Sequence, residues 1–337
     1  MTVLSVENLQ VRFETHHGSV RAVDGVSYSL EAGETLGIVG ESGSGKSVSS
    51  LAVMGLVPTP PGVVEATSMR FGDRELTQLS RNEMRSLRGK SIAMIFQDPM
   101  TALNPFLTVG RQLTEVLELH EGVSHREARK RSAIGLGEVG IPDPEKRLDV
   151  YPHELSGGMR QRVMIAMALL CKPAVLFADE PTTALDVTIQ AQVLELLGDL
   201  QEKHGMAIVL VTHDLGVVAG MADRIAVMYG GRLVEKAPTT KLFKRPLHPY
   251  TSGLLASIPK LSDDPDAPLH PIPGNPPNLA HLPPGCAFAP RCSIVKSHCT
   301  SSVPPLAHLT TEEDDRASAC FEWQSLAYVR EDAGGQS

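Results

Sequence analysis

Aromatic residues are scarce in this 337-residue chain: Phe, Trp and Tyr together make up 4%. So few rings exclude an extended base-stacking platform or a large aromatic groove. Basic residues are outnumbered as well, with 31 Lys and Arg against 39 Asp and Glu and a formal net charge of −8. A surface that neutralises nucleic-acid phosphates needs the opposite balance, so no nucleic acid is expected as a partner. Long apolar runs are missing too. The longest, Val163 to Cys171, falls far short of the roughly 20 residues of a membrane helix. The opening MTVLSVENLQVRF lacks a basic segment followed by an apolar stretch, so no secretory signal is expected. These absences predict a soluble, cytoplasmic protein that works at a membrane only by docking onto something else.

Proline and cysteine are present but unevenly placed. Of 25 prolines, 15 lie from Pro238 onward, and four of the 5 cysteines fall between Cys286 and Cys320. A regular domain is therefore expected first and a loop-rich extension after it. In a reducing compartment a cysteine cluster suggests metal before disulfide.

Short apolar runs mark buried parallel strands at Thr35 to Val39, Ile92 to Phe96, Val175 to Ala178, Ile208 to Val211 and Ile225 to Met228. Alternating apolar positions from Val3 to Phe13, and a segment from Ala22 to Leu30, read as further strands. Helical patterns intervene at Val48 to Leu56, Arg160 to Leu170 and Ile189 to Lys203. Strands alternating with helices predict an α/β domain over about residues 1–240. The polar, helical stretch from about 105 to 160 breaks the alternation and reads as an inserted subdomain. Residues 241–337 form the Pro/Cys-rich extension, with at most a short helix at Thr251 to Ser257.

Gly40-Glu41-Ser42-Gly43-Ser44-Gly45-Lys46-Ser47 fits G-x-x-x-x-G-K-S, with an apolar strand before it and a helix from Val48 after it. Glycines let backbone amides curl around phosphates, and the helix directs its positive end at them. Lys46 is placed to reach the β- and γ-phosphates and Ser47 to ligate Mg²⁺. The run ending in Asp179 and Glu180 adds a magnesium-shell carboxylate and then a general base for the attacking water. Leu155-Ser156-Gly157-Gly158 opens a helix with a capping Ser and two glycines that leave amides open to an anion.

With Ser156 standing 23 residues before Asp179, the chain resembles an ATP-binding-cassette ATPase. The fold this implies is α/β: a RecA-like core, an antiparallel β subdomain and a helical subdomain, followed here by the Pro/Cys-rich extension. On that likeness Phe13 is similar to the aromatic that stacks on adenine, although about four extra residues follow it. Gln97 matches the Q-loop glutamine that senses magnesium and the γ-phosphate. Thr183-Ala184-Leu185-Asp186 looks like the D-loop, and His213 matches the switch histidine. Ser156, Gly157 and Gly158 are then expected to serve the nucleotide of a second cassette.

Asp98 to Pro105, Tyr151-Pro152-His153-Glu154, Ala184 to Gln192 and His248-Pro249-Tyr250-Thr251 look like the dipeptide/oligopeptide importer ATPases, closest to the D-type members. The resemblance implies ATP and Mg²⁺ and a peripheral place on the cytoplasmic side of the inner membrane. It also implies a second, F-type cassette, two transmembrane permeases and an external peptide-binding protein. By the same resemblance, roughly Pro99 to Pro105 is expected to lie where a permease coupling helix docks in such importers. Related importers carry nickel or other solutes on the same ATPase. DNA-maintenance cassettes are disfavoured, because only 109 residues separate Lys46 from Leu155 and no coiled-coil heptads occur there.

Cys286, Cys292, Cys299 and Cys320 lack the C-x2-C pairs of common zinc knuckles. Four thiolates suit zinc or an iron–sulfur cluster, and spacing does not choose. The family resemblance implies a 4Fe-4S cluster, with zinc as the alternative. Cys171 is expected to be an ordinary buried thiol.

Overall fold

The computed structural model describes residues 1–16, 18–98, 102–183, 185–258, 271–308 and 316–326. The chain divides into two compact units. One gathers Met1–Leu4, Ser29–Glu34 and Arg70–Val211; the other gathers Ser5–Tyr28, Thr35–Met69 and the chain from Thr212 onward. Residues beyond 240 thus share a unit with the Gly40–Ser47 loop.

In the first unit, strands Ile92–Ile95, Val175–Asp179 and Ala207–Thr212 run parallel, with Ile92 opposite Val175 and Val175 opposite Ala207. Each is buried along its length, which is why each reads as a continuous apolar run rather than an alternation. Full burial of each Leu, Ile or Phe there stabilises the fold by roughly 1.5–3 kcal/mol. The expected helical insertion is present as Val109–Glu121, His125–Glu138 and the short Pro144–Arg147. Thr108 and Ser124 cap the two long helices through their side-chain oxygens, and His125–Glu138 packs on Gly157–Leu169. Val187–His204 begins two residues earlier than its apolar pattern, because the Asp186 carboxylate accepts from the Ile189 amide at 3.0 Å.

In the second unit, Thr35–Val39 lies parallel to Arg224–Tyr229, which pairs antiparallel with Arg232–Pro238. Gly230 and Gly231, with φ of 57° and 81°, make the two-residue turn between that antiparallel pair. Ala317–Ser318 extends the sheet against Arg232–Pro238, and Ala307–His308 lies outside it. Gly37 lets helix Leu215–Met221 lie close on the sheet, since a Cβ there would come within 2.8 Å of Val218.

Strand Thr2–Thr15 pairs antiparallel with Gly62–Glu65. Its buried residues are Leu4 and Val6, then Leu9 and Val11, so the alternation slips by one. Asn8 causes the slip by taking a left-handed φ of 51°. Among the described residues no helix is long and apolar enough to cross a membrane.

Candidate active site and thiol pocket

The Gly40–Ser47 loop joins the buried strand Thr35–Val39 to helix Lys46–Val53. Two of its glycines are obligatory. A Cβ on Gly40 (φ 154°) would sit 2.2 Å from the Met228 carbonyl oxygen, and one on Gly45 (φ 102°) 2.2 Å from that of Ala22. Gly43 (φ 78°) faces open space. No side chain caps the helix, and its first turn holds no acid, leaving the positive end available to an anion. The Ser44 hydroxyl is buried without a hydrogen-bond partner among the described residues. The Lys46 ammonium is buried and donates to the carbonyls of Gly40 at 2.7 Å and Glu41 at 3.0 Å. Ser42 is exposed and Ser47 half-buried.

The same unit holds Phe13 and His213. Phe13 is half-buried opposite Gly62, where a Cβ would come within 3.3 Å of the ring. His213 is exposed, just after Ala207–Thr212.

In the other unit, Asp179 is buried at the end of its strand. Glu180 follows with φ 46°, a left-handed backbone that is strained for a residue with a Cβ. Its amide donates to the Val211 carbonyl at 2.8 Å. The Gln97 amide donates to one Glu180 carboxylate oxygen at 3.1 Å, and the Thr183 hydroxyl to the same oxygen at 2.9 Å. Gln161, in helix Gly157–Leu169, donates to the Pro181 carbonyl at 2.5 Å. This unit therefore brings Gln97 and Glu180 into contact, with Asp179 one residue before Glu180 at the strand end. It adds Thr183 and Gln161, whose partners the motifs did not reveal. Ser156 caps Gly157–Leu169 through the Met159 amide at 3.3 Å, and both Ser156 and Gly157 are exposed. Pro99, Met100, Thr101 and Ala184 lie outside the described residues.

The four clustered cysteines and His248, Phe288 and Ile294 line one pocket. Gly285 permits this folding, since a Cβ there would lie 2.3 Å from the Cys299 carbonyl, which accepts from the Cys286 amide at 2.8 Å. Burial raises the Cys286 and Cys292 thiols above their ordinary range, and pushes Cys320 up to about 12, with the neighbouring thiols adding to it. Backbone amides of Phe288 and Ala289 oppose the rise at Cys286, Ile294 at Cys292 and Glu322 at Cys320. None of the five cysteines is in a disulfide. The four-thiolate ligand set expected from the sequence is not formed: among the described residues no group of three or more His, Cys, Asp or Glu is arranged to hold a metal ion. Burial favours the protonated form of Cys286, Cys292 and Cys320 in the protein alone, and protonated sulfurs do not draw together around a cation. Cys171 is half-buried, its thiol pushed up to about 11 chiefly by burial.

The family model for ABC transporter matches residues 23–183, and that for the oligopeptide/dipeptide transporter C-terminal region matches 234–299. The dipeptide transport ATP-binding protein DppD of Bacillus subtilis is 57% identical over 86% of each chain. The oligopeptide transport ATP-binding protein OppD of the same organism is 54% identical over 90% of this chain and 85% of its own. OppD of Salmonella typhimurium is 51% identical over 95% of this chain and 93% of its own. Among solved structures, the ATP-binding cassette MJ0796, dimeric after hydrolysis and bound to ADP and Pi, superposes with a TM-score of 0.62. It is 28% identical, over 70% of this chain and 98% of that one. The fold and motifs thus define an ABC-type ATPase. Within that class the chain belongs to the family of oligopeptide and dipeptide transport ATP-binding proteins.

Proposed function

We propose that this chain hydrolyses ATP to power import of di- or oligopeptides through partner permeases, docked on the cytoplasmic side of the inner membrane. The observation that carries it is identity of 51–57% to peptide-transport ATP-binding proteins over 86–95% of the chain. The partners are a second, F-type cassette, two transmembrane permeases and an external peptide-binding protein.

Lys46 exchanges its two loop carbonyls for phosphate oxygens, and the Ser44 hydroxyl and the amides of Gly45 to Ser47 add neutral donors. Phe13 supplies the ring for adenine. Ser47 and Asp179 offer the hard oxygen donors that magnesium prefers. Magnesium, when bound, spreads the charge of the transferring phosphoryl group. Glu180, its carboxylate fixed by Gln97 and Thr183, takes the proton of the attacking water. His213 contacts the γ-phosphate. Ser156, Gly157 and Gly158 serve the nucleotide of the second cassette, in keeping with the exposure of Ser156 and Gly157.

Cys286, Cys292, Cys299 and Cys320 hold a 4Fe-4S cluster, or zinc in its place. The donor chemistry fits: four thiols line one pocket, and backbone amides reach three of the sulfurs. Such a group, when bound, ties together chain segments that lack an apolar core of their own.

Reconstitution with the partner subunits in proteoliposomes tests the transport assignment. ATP-dependent uptake of labelled peptide, lost in Glu180→Gln, is expected. Stimulation of ATPase activity by nickel or another solute, and not by peptide, would overturn it.

A further inference from the structure

Glu41, the second residue of the phosphate loop, is held by every polar group it has. Its amide donates to the Tyr250 phenolic oxygen at 2.7 Å. Its carboxylate receives two parallel donors from Arg291, at 2.7 and 2.9 Å. Its carbonyl accepts from the Lys46 ammonium at 3.0 Å. One residue thus joins the cation that reads the phosphates to two side chains that lie 209 and 250 positions further along the chain.

Arg291 is itself immobilised. Its Nε donates to the Pro273 carbonyl at 2.8 Å, and a terminal nitrogen also lies 3.3 Å from the Tyr229 hydroxyl. The guanidinium lies 5.9 Å from the ring centres of both Tyr229 and Phe288, and its side chain is 5% exposed. Tyr250 is fixed against the same rings, its own centre 4.5 Å from Tyr229 and 5.5 Å from Phe288. A forked, charge-assisted pair on a rigid base is the geometry that holds a loop in one shape.

We propose that Arg291 and Tyr250 are positioning residues for the phosphate loop, through which the C-terminal region sets its affinity for nucleotide. Two physical effects combine. Lys46 has to leave the Glu41 carbonyl to take up phosphate, and that carbonyl then keeps only the Ser44 amide, at 3.2 Å, so Arg291 and Tyr250 supply the side-chain ties that help the loop keep its shape. A loop held in its binding shape loses less entropy on binding. The second effect is charge. A carboxylate in the phosphate loop repels a polyphosphate, and the Arg291 fork neutralises it at contact distance. The proposal rests on the assignment of Gly40–Ser47 as the ATP site.

The test is titration of the purified full-length protein with ADP and magnesium, a nucleotide that is not turned over. Arg291→Gln is expected to raise Kd about tenfold, as for loss of a charge-assisted pair. Tyr250→Phe, which removes a single oxygen atom and keeps the ring packing, is expected to raise it about threefold. Glu41→Gln combined with Arg291→Gln should bind more tightly than Arg291→Gln alone, because the uncompensated carboxylate is gone. A merely structural role would lower the melting temperature of each variant and leave the Kd of the folded protein unchanged. Kd values within twofold of wild type for Arg291→Gln and Tyr250→Phe overturn the proposal. Wild-type protein that fails to bind ADP, or a Lys46→Ala variant that binds as well as wild type, would instead overturn the nucleotide assignment itself.

Discussion

Gln97 and Glu180 meet side chain to side chain: the amide donates to a carboxylate oxygen at 3.1 Å, across 83 positions of sequence. The bond orients the acid proposed to activate water and gives that acid a second contact besides the Thr183 hydroxyl.

Glu180→Gln keeps the size of the side chain and its left-handed backbone but removes the proposed base. ATP binding should persist while turnover falls by about a hundredfold or more. Binding and single-turnover assays on the same preparation check both halves. Hydrolysis at the wild-type rate would remove Glu180 from this role.

Thr183→Val preserves volume and deletes only the donor to Glu180. We expect kcat to fall roughly three- to tenfold with KM for ATP unchanged. A higher KM at constant kcat would mean that Thr183 acts in binding.

Lys46→Ala removes the ammonium that rests on the Gly40 and Glu41 carbonyls. Nucleotide affinity should drop by at least about tenfold, measured by calorimetry. Melting temperature without nucleotide should move little by comparison.

The buried Glu235 and His248 give stability opposing responses to pH. Glu235 accepts the amides of Leu247 and His248 at 2.8 and 3.0 Å, yet burial raises its carboxyl to about 7. In the window from the ordinary 4.5 up to about 7, the native state binds more protons, so stability falls as pH rises. His248 is held neutral, its pKa pushed down to about 3 from 6.5 by burial, so its contribution is lost as pH falls through that window. The two slopes offset each other between about pH 4.5 and 6.5. Glu235→Gln should unmask the histidine, and denaturant midpoints should then climb with pH across that range. A flat profile in the variant would contradict the assignment.

Anaerobic purification with iron and sulfide analysis checks the thiol pocket. Four irons and four sulfides per chain are expected for a 4Fe-4S group, and loss of both in Cys292→Ser. Zinc without iron under those conditions would end the cluster assignment in favour of a single ion.

What the sequence revealed was contiguous. The strand that ends at Val39, the glycines at 40, 43 and 45, and the acids 179 and 180 are read from short windows whose chemistry is local. Thr35–Val39 matches its apolar run residue for residue, because a strand buried on both faces declares itself by composition. The slip at Asn8 was not legible, since a left-handed residue inside an alternating pattern leaves the composition unchanged. Nor was the hold of Arg291 on Glu41. Each residue sits in a recognisable string, but their pairing depends on how Phe288, Tyr229 and Tyr250 stack, and no local window contains all of them. The cysteines were visible as a group, while the burial that raises the Cys286, Cys292 and Cys320 thiols comes only from folding.

The short strand Ala317–Ser318 carries a further consequence. It covers part of Arg232–Pro238, whose outer hydrogen-bonding groups would otherwise be open to another chain. The Ala319 amide continues that cover by donating to the Val234 carbonyl at 2.8 Å. A shortened chain that stops before residue 317 would keep every phosphate-binding and catalytic group and still bare a sticky margin. Such a fragment is expected to self-associate, so its low activity in solution would reflect lost solubility and not a lost catalytic residue.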